Sequence, residues 1–209
     1  MIPSWLKRLL GTPSSPTAPQ PLPGKAKHPP EPIPAPAPTA LRPPLPVTAA
    51  TRLYPTTTRQ TPNLSRGRII TPTHIILHHT GGSYAGSVSW CLNPASKVSY
   101  HCIIARSGKR TILAPPTART WHAGVSSWQG RKNCNDFSIG LAWEGDTYQT
   151  PLSEDAILSA VEYLLPILDK FKIPLSHLLR HADIAPGRKT DCAPLAAAQL
   201  HAALQRILK

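Results

Sequence analysis

A chain of 209 residues has room for one ordinary domain and a further segment, but not for a large multidomain enzyme. Its formal net charge of +13 draws it toward anionic polymers and surfaces of any kind, cell-wall polymers and membranes included. No helix-turn-helix, zinc-finger or aromatic RNA-binding motif accompanies that charge, which excludes a specific nucleic-acid reader, and no apolar run is long enough for a transmembrane segment.

The first ten residues, Met1–Leu10, are too few and too charged to supply the apolar region of a signal peptide. The chain is therefore expected in the cytoplasm as synthesised, and delivery to the periplasm or cell wall would take a non-classical route. Trp5–Leu10 can form a short amphipathic stretch that docks on a partner or a lipid surface. Of the 26 prolines, 17 precede residue 66. Proline removes backbone donors and fixes φ, so residues 1–65 are expected to be an extended or disordered tether. Such a tether suits docking to a secretion or phage apparatus. Residues 66–209 are then the folded domain.

Within that domain, Ile69–Ile70 and His74–Leu77 read as strands, the second ending before Gly81–Gly82. Ser83–Leu92 is expected as a short helix stopped by Asn93–Pro94. Val98–Ala105, Thr111–Leu113 and Phe137–Trp143 read as further strands. Ser153–Phe171 is the clearest helix: Ser153 suits the N-cap, and Glu154 and Asp155 suit the positive end of the helix dipole. Ile157, Val161, Leu164, Leu165 and Leu168 form its apolar face, and Pro166 should kink it. Leu195–Leu208 closes the chain as an amphipathic helix. Strands interleaved with helices predict an α/β fold, a mainly mixed sheet flanked by helices. Four cysteines with no Cys-x-x-Cys pair permit disulfides, but a domain of this size does not need them, and reduced thiols are expected.

Two segments carry candidate chemistry. In Thr73–Thr80, His74, Ile76 and His78 alternate onto one face of a strand while Ile75, Leu77 and His79 take the other, so one of His78 and His79 can be a ligand. The loop His181–Cys192 packs an imidazole, a lysine, a carboxylate and a thiol together. Two separated histidines and one anionic ligand make an open zinc site that leaves the fourth position to water.

The blocks IILHHT (Ile75–Thr80), VSYH (Val98–His101), WHAG (Trp121–Gly124), NDFSIG (Asn135–Gly140) and His181–Asp191 occur in the order found in zinc-dependent N-acetylmuramoyl-L-alanine amidases. The chain resembles that family, which includes AmpD-type murein-recycling enzymes, phage lysozyme amidases and peptidoglycan recognition proteins, over about residues 68–208. The resemblance implies Zn2+ held by His78, His181 and Asp191, with Cys192 as an alternative third ligand. It implies cleavage of the amide between N-acetylmuramic acid and L-alanine by zinc-activated water. Lys189 would stabilise the developing oxyanion. Trp121 and His122 would line a groove for a peptidoglycan or muropeptide substrate. Asp183 is expected to be solvated or to orient a ligand.

One position departs from the pattern. AmpD-type enzymes carry a glutamate two residues after the glycine of the Ser-Ile-Gly block, and here that residue is Ala142. A methyl group moves no protons. Glu144 matches a second family acid rather than the catalytic one. Either Tyr100 works beside the metal, as the resemblance to phage-type relatives implies, or Ala142 marks a catalytically impaired, peptidoglycan-binding form of the fold, whether by evolution or by substitution.

Overall fold

The computed structural model of this protein describes residues 54–208. The segment up to residue 53, with the expected docking stretch Trp5–Leu10, lies outside the described residues. In chain order the elements are β1 (Thr56–Thr58), β2 (Leu64–Ile69), β3 (His74–His79), α1 (Tyr84–Leu92), β4 (Cys102–Ile104) and β5 (Arg110–Ile112). They continue with β6 (Ala118–Thr120), β7 (Ser127–Trp128), β8 (Arg131–Lys132), β9 (Ser138–Trp143), α2 (Glu154–Phe171), β10 (Leu178–Arg180), α3 (His181–Ile184) and α4 (Pro194–Ile207).

Six strands form one mixed sheet in the order β1-β5-β4-β9-β3-β10. All neighbours run parallel except β4 and β5. The central strands β3 and β9 are buried almost end to end, as their near-continuous apolar sequences require. The alternation in β3 divides the interior. Ile75 and Leu77 join Ile139, Leu141, Trp143 and Ile104 beneath α2 and α4, where Leu164, Leu168, Leu200 and Leu204 close the main core. Ile76 faces the opposite side, with Ala123, Cys134 and Phe137. On that side Ile103 and Ala142 pack under Val88 and Cys91 of α1.

Local signals explain the helix ends. Ser153 Oγ accepts from the Ala156 N–H at 3.1 Å and starts α2. Lys172, in the left-handed conformation at φ 52°, ends it. The helix continues through Pro166, whose ring lies on the exposed side. Pro194 occupies the first turn of α4, where its missing N–H has no intrahelical partner to lose. The strand expected over Val98–Ala105 contracts to β4, because the Ser99 and His101 N–H groups bond to the Trp121 and Gly140 carbonyls instead of a regular ladder.

The folded unit begins earlier than the expected boundary at residue 66. β1 pairs in parallel with β5, and Tyr54, Thr61 and Asn63 are buried. The Asn63 amide nitrogen donates to the carbonyls of Cys91, Asn93 and Val98, at 2.8–3.1 Å. Pro55 and Pro62 flank β1 without interrupting it, and an edge strand tolerates flanking prolines. Losing a buried donor set of this kind costs about 1–3 kcal/mol. In urea titrations of a chain starting at residue 54, Asn63→Ala should lower the unfolding free energy by about 2 kcal/mol. A start at residue 66 should lower it further. Unchanged midpoints in both would place residues 54–65 outside the folding unit.

Candidate metal centre

His78 and His181 come from neighbouring parallel strands at their C-terminal ends, the edge where open α/β sheets place ligand sites. Leu77 is in register with Arg180, so His78 and the residue following β10, His181, emerge side by side. Asp191 returns from the loop after α3, and its carbonyl accepts the Ala182 N–H at 2.7 Å. The three donors form a small triangle. His78 Nδ1 lies 3.1 Å from His181 Nδ1 and 3.1 Å from Asp191 Oδ2, and His181 Nδ1 lies 3.2 Å from the same oxygen.

Those spacings fit a tetrahedral cation. Ligand bonds of about 2.0–2.1 Å at tetrahedral angles require donor separations of about 3.3 Å. The outer nitrogens already have partners: His78 Nε2 lies 3.1 Å from His122 Nδ1, and His181 Nε2 3.1 Å from the Ala123 carbonyl oxygen. Each ring therefore has its Nδ1 left for the centre. Burial holds the His78 imidazole down at about 4, so its neutral, metal-binding form prevails at neutral pH. Burial opposes the charge on Asp191, but the His181 and His78 rings beside it outweigh burial and hold the carboxyl below the usual carboxylate range. Two imidazoles and a carboxylate, all buried, make a donor set suited to a divalent cation.

Residues 68–194 match the family described as N-acetylmuramoyl-L-alanine amidase. The chain belongs to that amidase family. It is 44% identical over 99 residues to the 1,6-anhydro-N-acetylmuramyl-L-alanine amidase AmpD of Escherichia coli K12, covering 47% of this chain and 53% of that protein. To the amidase AmiD of the same organism it is 30% identical over 136 residues, 58% of this chain and 49% of that one. The chain thus spans about half the length of the curated relatives it matches. Among solved structures, a selenomethionine AmpD derivative superposes with a TM-score of 0.59 at 26% identity, covering 72% of this chain and 95% of that one. AmiD from E. coli, in complex with the substrate anhydro-N-acetylmuramic acid-L-Ala-D-gamma-Glu-L-Lys, shares the fold with a TM-score of 0.58 at 24% identity, covering 68% of this chain and 60% of that one.

The other residues singled out in this amidase-family chain fall in different places. Cys192 turns away from the triangle into the main core, and burial pushes its thiol up to about 12, so the geometry selects Asp191 over its neighbour. All four cysteines are free and buried. Lys189 is exposed on the loop two residues before Asp191, and its charge contributes to holding the His78 imidazole down. The Tyr100 ring stands 5.1 Å from that of His78, and burial pushes its phenol well above the usual range. Trp121 is half-buried, with its indole N–H donating to Ser65 Oγ at 3.1 Å. His122 does not line a groove. It is 5% exposed, against the expectation, because its ring is enclosed between His78 and the Ser138 carbonyl while Trp121 stays half-buried.

Ala142 is in register with His78 on β9 and fully buried beside Val88, Cys91, Ile103 and Leu113. Its methyl side chain fills an apolar slot next to the ligands. Glu144 accepts from the N–H groups of Tyr84 and Arg106, both at 3.0 Å, and so anchors the start of α1 rather than facing the centre. Asp183 pairs with Arg180 and accepts its backbone N–H at 2.8 Å.

Three residues that the sequence did not mark pin the loops around the ligands. Thr147 Oγ1 accepts the Ala193 N–H at 2.9 Å, and the Tyr148 hydroxyl donates to the Thr190 carbonyl at 3.0 Å, one on each side of Asp191. The Arg188 guanidinium donates to the Ala123 and Val125 carbonyls. No local pattern announces such bonds, since each spans more than forty residues.

The buried ring of His101 supplies a pH test. Its Nε2–H donates to the Ala118 carbonyl at 2.9 Å, and its Nδ1 accepts from the Gly140 N–H at 3.0 Å. Burial holds this imidazole down at about 4, against an ordinary value of 6.5. The folded value is the lower one, so the stability carried by the neutral ring is complete above about 6.5 and is lost as pH falls toward 4. The unfolding free energy in urea should fall over that window, and the His101 ring protons should show no titration at pH values above about 5 in NMR. A His101 signal titrating near its ordinary value would contradict this placement.

Proposed function

We propose that this chain is a zinc-dependent amidase that cleaves the bond between N-acetylmuramic acid and L-alanine in muropeptides. The observation that carries the reading is the buried triangle of His78 Nδ1, His181 Nδ1 and an Asp191 carboxylate oxygen, with separations of 3.1–3.2 Å. The relatives named as amidases of this bond, and the AmiD complex with a muropeptide substrate, support the substrate class.

His78, His181 and Asp191 would hold the zinc, which when bound supplies an activated water and polarises the scissile carbonyl. Tyr100 keeps its proton at neutral pH because burial disfavours the phenolate. It therefore acts as a hydrogen-bond donor toward the oxygen that becomes negative, not as a base. Lys189, exposed and on a flexible stem, brings a positive charge to the same oxygen. The half-buried Trp121 offers part of an indole to the sugar or peptide. Ala142 takes no part in proton transfer. A form of the fold that only binds peptidoglycan would have no need of all three donors, and this chain keeps them.

The test is release of L-alanyl peptide from purified muropeptide, followed by mass spectrometry. The zinc-loaded protein should release it, and chelation should abolish release. Tyr100→Phe should lower turnover by roughly 10²–10³ while leaving zinc content unchanged, the cost of losing one oxyanion donor. No release by the zinc-loaded wild type would overturn the reading.

A further inference from the structure

Two sequence blocks, WHAG and NDFSIG, contribute no donor to the triangle, yet they meet directly behind it. The buried amide oxygen of Asn135 accepts from two successive backbone N–H groups, those of His122 at 3.1 Å and Ala123 at 2.8 Å. The dipeptide clipped in this way touches both ligand rings. His122 Nδ1 lies 3.1 Å from His78 Nε2, and the Ala123 carbonyl oxygen lies 3.1 Å from His181 Nε2.

Counting hydrogens fixes the direction of each bond. The Ser138 hydroxyl donates its proton to the Cys134 carbonyl. His122 Nε2 has two neighbours, the Ser138 carbonyl oxygen at 3.3 Å and that same Ser138 Oγ at 3.4 Å. Both can only accept, so His122 Nε2 carries the hydrogen and its Nδ1 is bare. A bare nitrogen facing His78 Nε2 requires the hydrogen to sit on His78 Nε2, which leaves the His78 lone pair on Nδ1, inside the triangle. The Ala123 carbonyl imposes the same tautomer on His181. Gly140 makes the arrangement possible, because a Cβ there would lie within 2.8 Å of three atoms of His122.

We propose that the His122–Ala123 dipeptide, clipped by Asn135, is the positioning element for both ligand imidazoles and presets their Nδ1 lone pairs toward the metal. It rests on the zinc reading and extends it to the chain that orients the ligands. Partners of this kind fix ring orientation and typically govern metal affinity by 10–100-fold.

The test is zinc affinity of the full chain, measured by competition with a chromophoric chelator. His122→Leu should weaken binding by roughly 10–100-fold. His122→Asn, whose Oδ1 can accept where Nδ1 does, should recover most of the loss. Long-range proton–nitrogen NMR of the zinc-loaded wild type should show His122 as the Nε2–H tautomer with a bare Nδ1. That measurement stands even if His122→Leu fails to fold. Equal zinc affinity in wild type and both variants, or a wild-type His122 protonated at Nδ1, would overturn the assignment. Wild type that binds no zinc would overturn the zinc reading itself, and the assignment with it.

Discussion

Three electron-rich atoms converge within hydrogen-bond distance of one another in a place that water hardly reaches, and the surrounding structure serves to hold them there. Left to themselves, two imidazole lone pairs and a carboxylate repel, and each would turn toward solvent. Parallel pairing of β3 with β10 prevents that for the histidines by fixing both backbones at one sheet edge. Hydrogen bonds to Thr190 and Ala193 do the same for the loop that carries Asp191. A cation relieves the repulsion. This coupling of fold and ligand is what makes an open metal site both a stability cost and a chemical asset.

The same constraint bears on Ala142. Its register with His78 puts it where a longer side chain could reach the centre, but its neighbours are Val88, Cys91, Ile103 and Leu113. The wall beside the ligands is thus apolar. Tyr100 packs against this same cluster, and Lys189 is exposed on the loop before Asp191.

Much of this arrangement is legible in the chain itself. The largely apolar runs His74–Leu77 and Phe137–Trp143 predict strands, found as the buried β3 and β9, and Ser153 with its acidic first turn predicts the start of α2. Alternation separates His78 from Leu77 but cannot say which face is functional; that depends on α2 and α4 covering Ile75 and Leu77. β1 and β10, three residues each, are too short to show a period, and they form because longer strands offer them an edge. Asp191 and Cys192 point opposite ways, as do Trp121 and His122, and only the tertiary path of the backbone decides which member faces inward.

We propose that His78, His181 and Asp191 together hold one zinc ion. Diffraction at the zinc absorption edge from crystals grown with the metal tests it most directly. A single anomalous peak within ligand-bond distance of both Nδ1 atoms and an Asp191 oxygen, with Cys192 remaining in the core, is the predicted result. A peak on the Cys192 sulfur, or none inside the triangle, would contradict it.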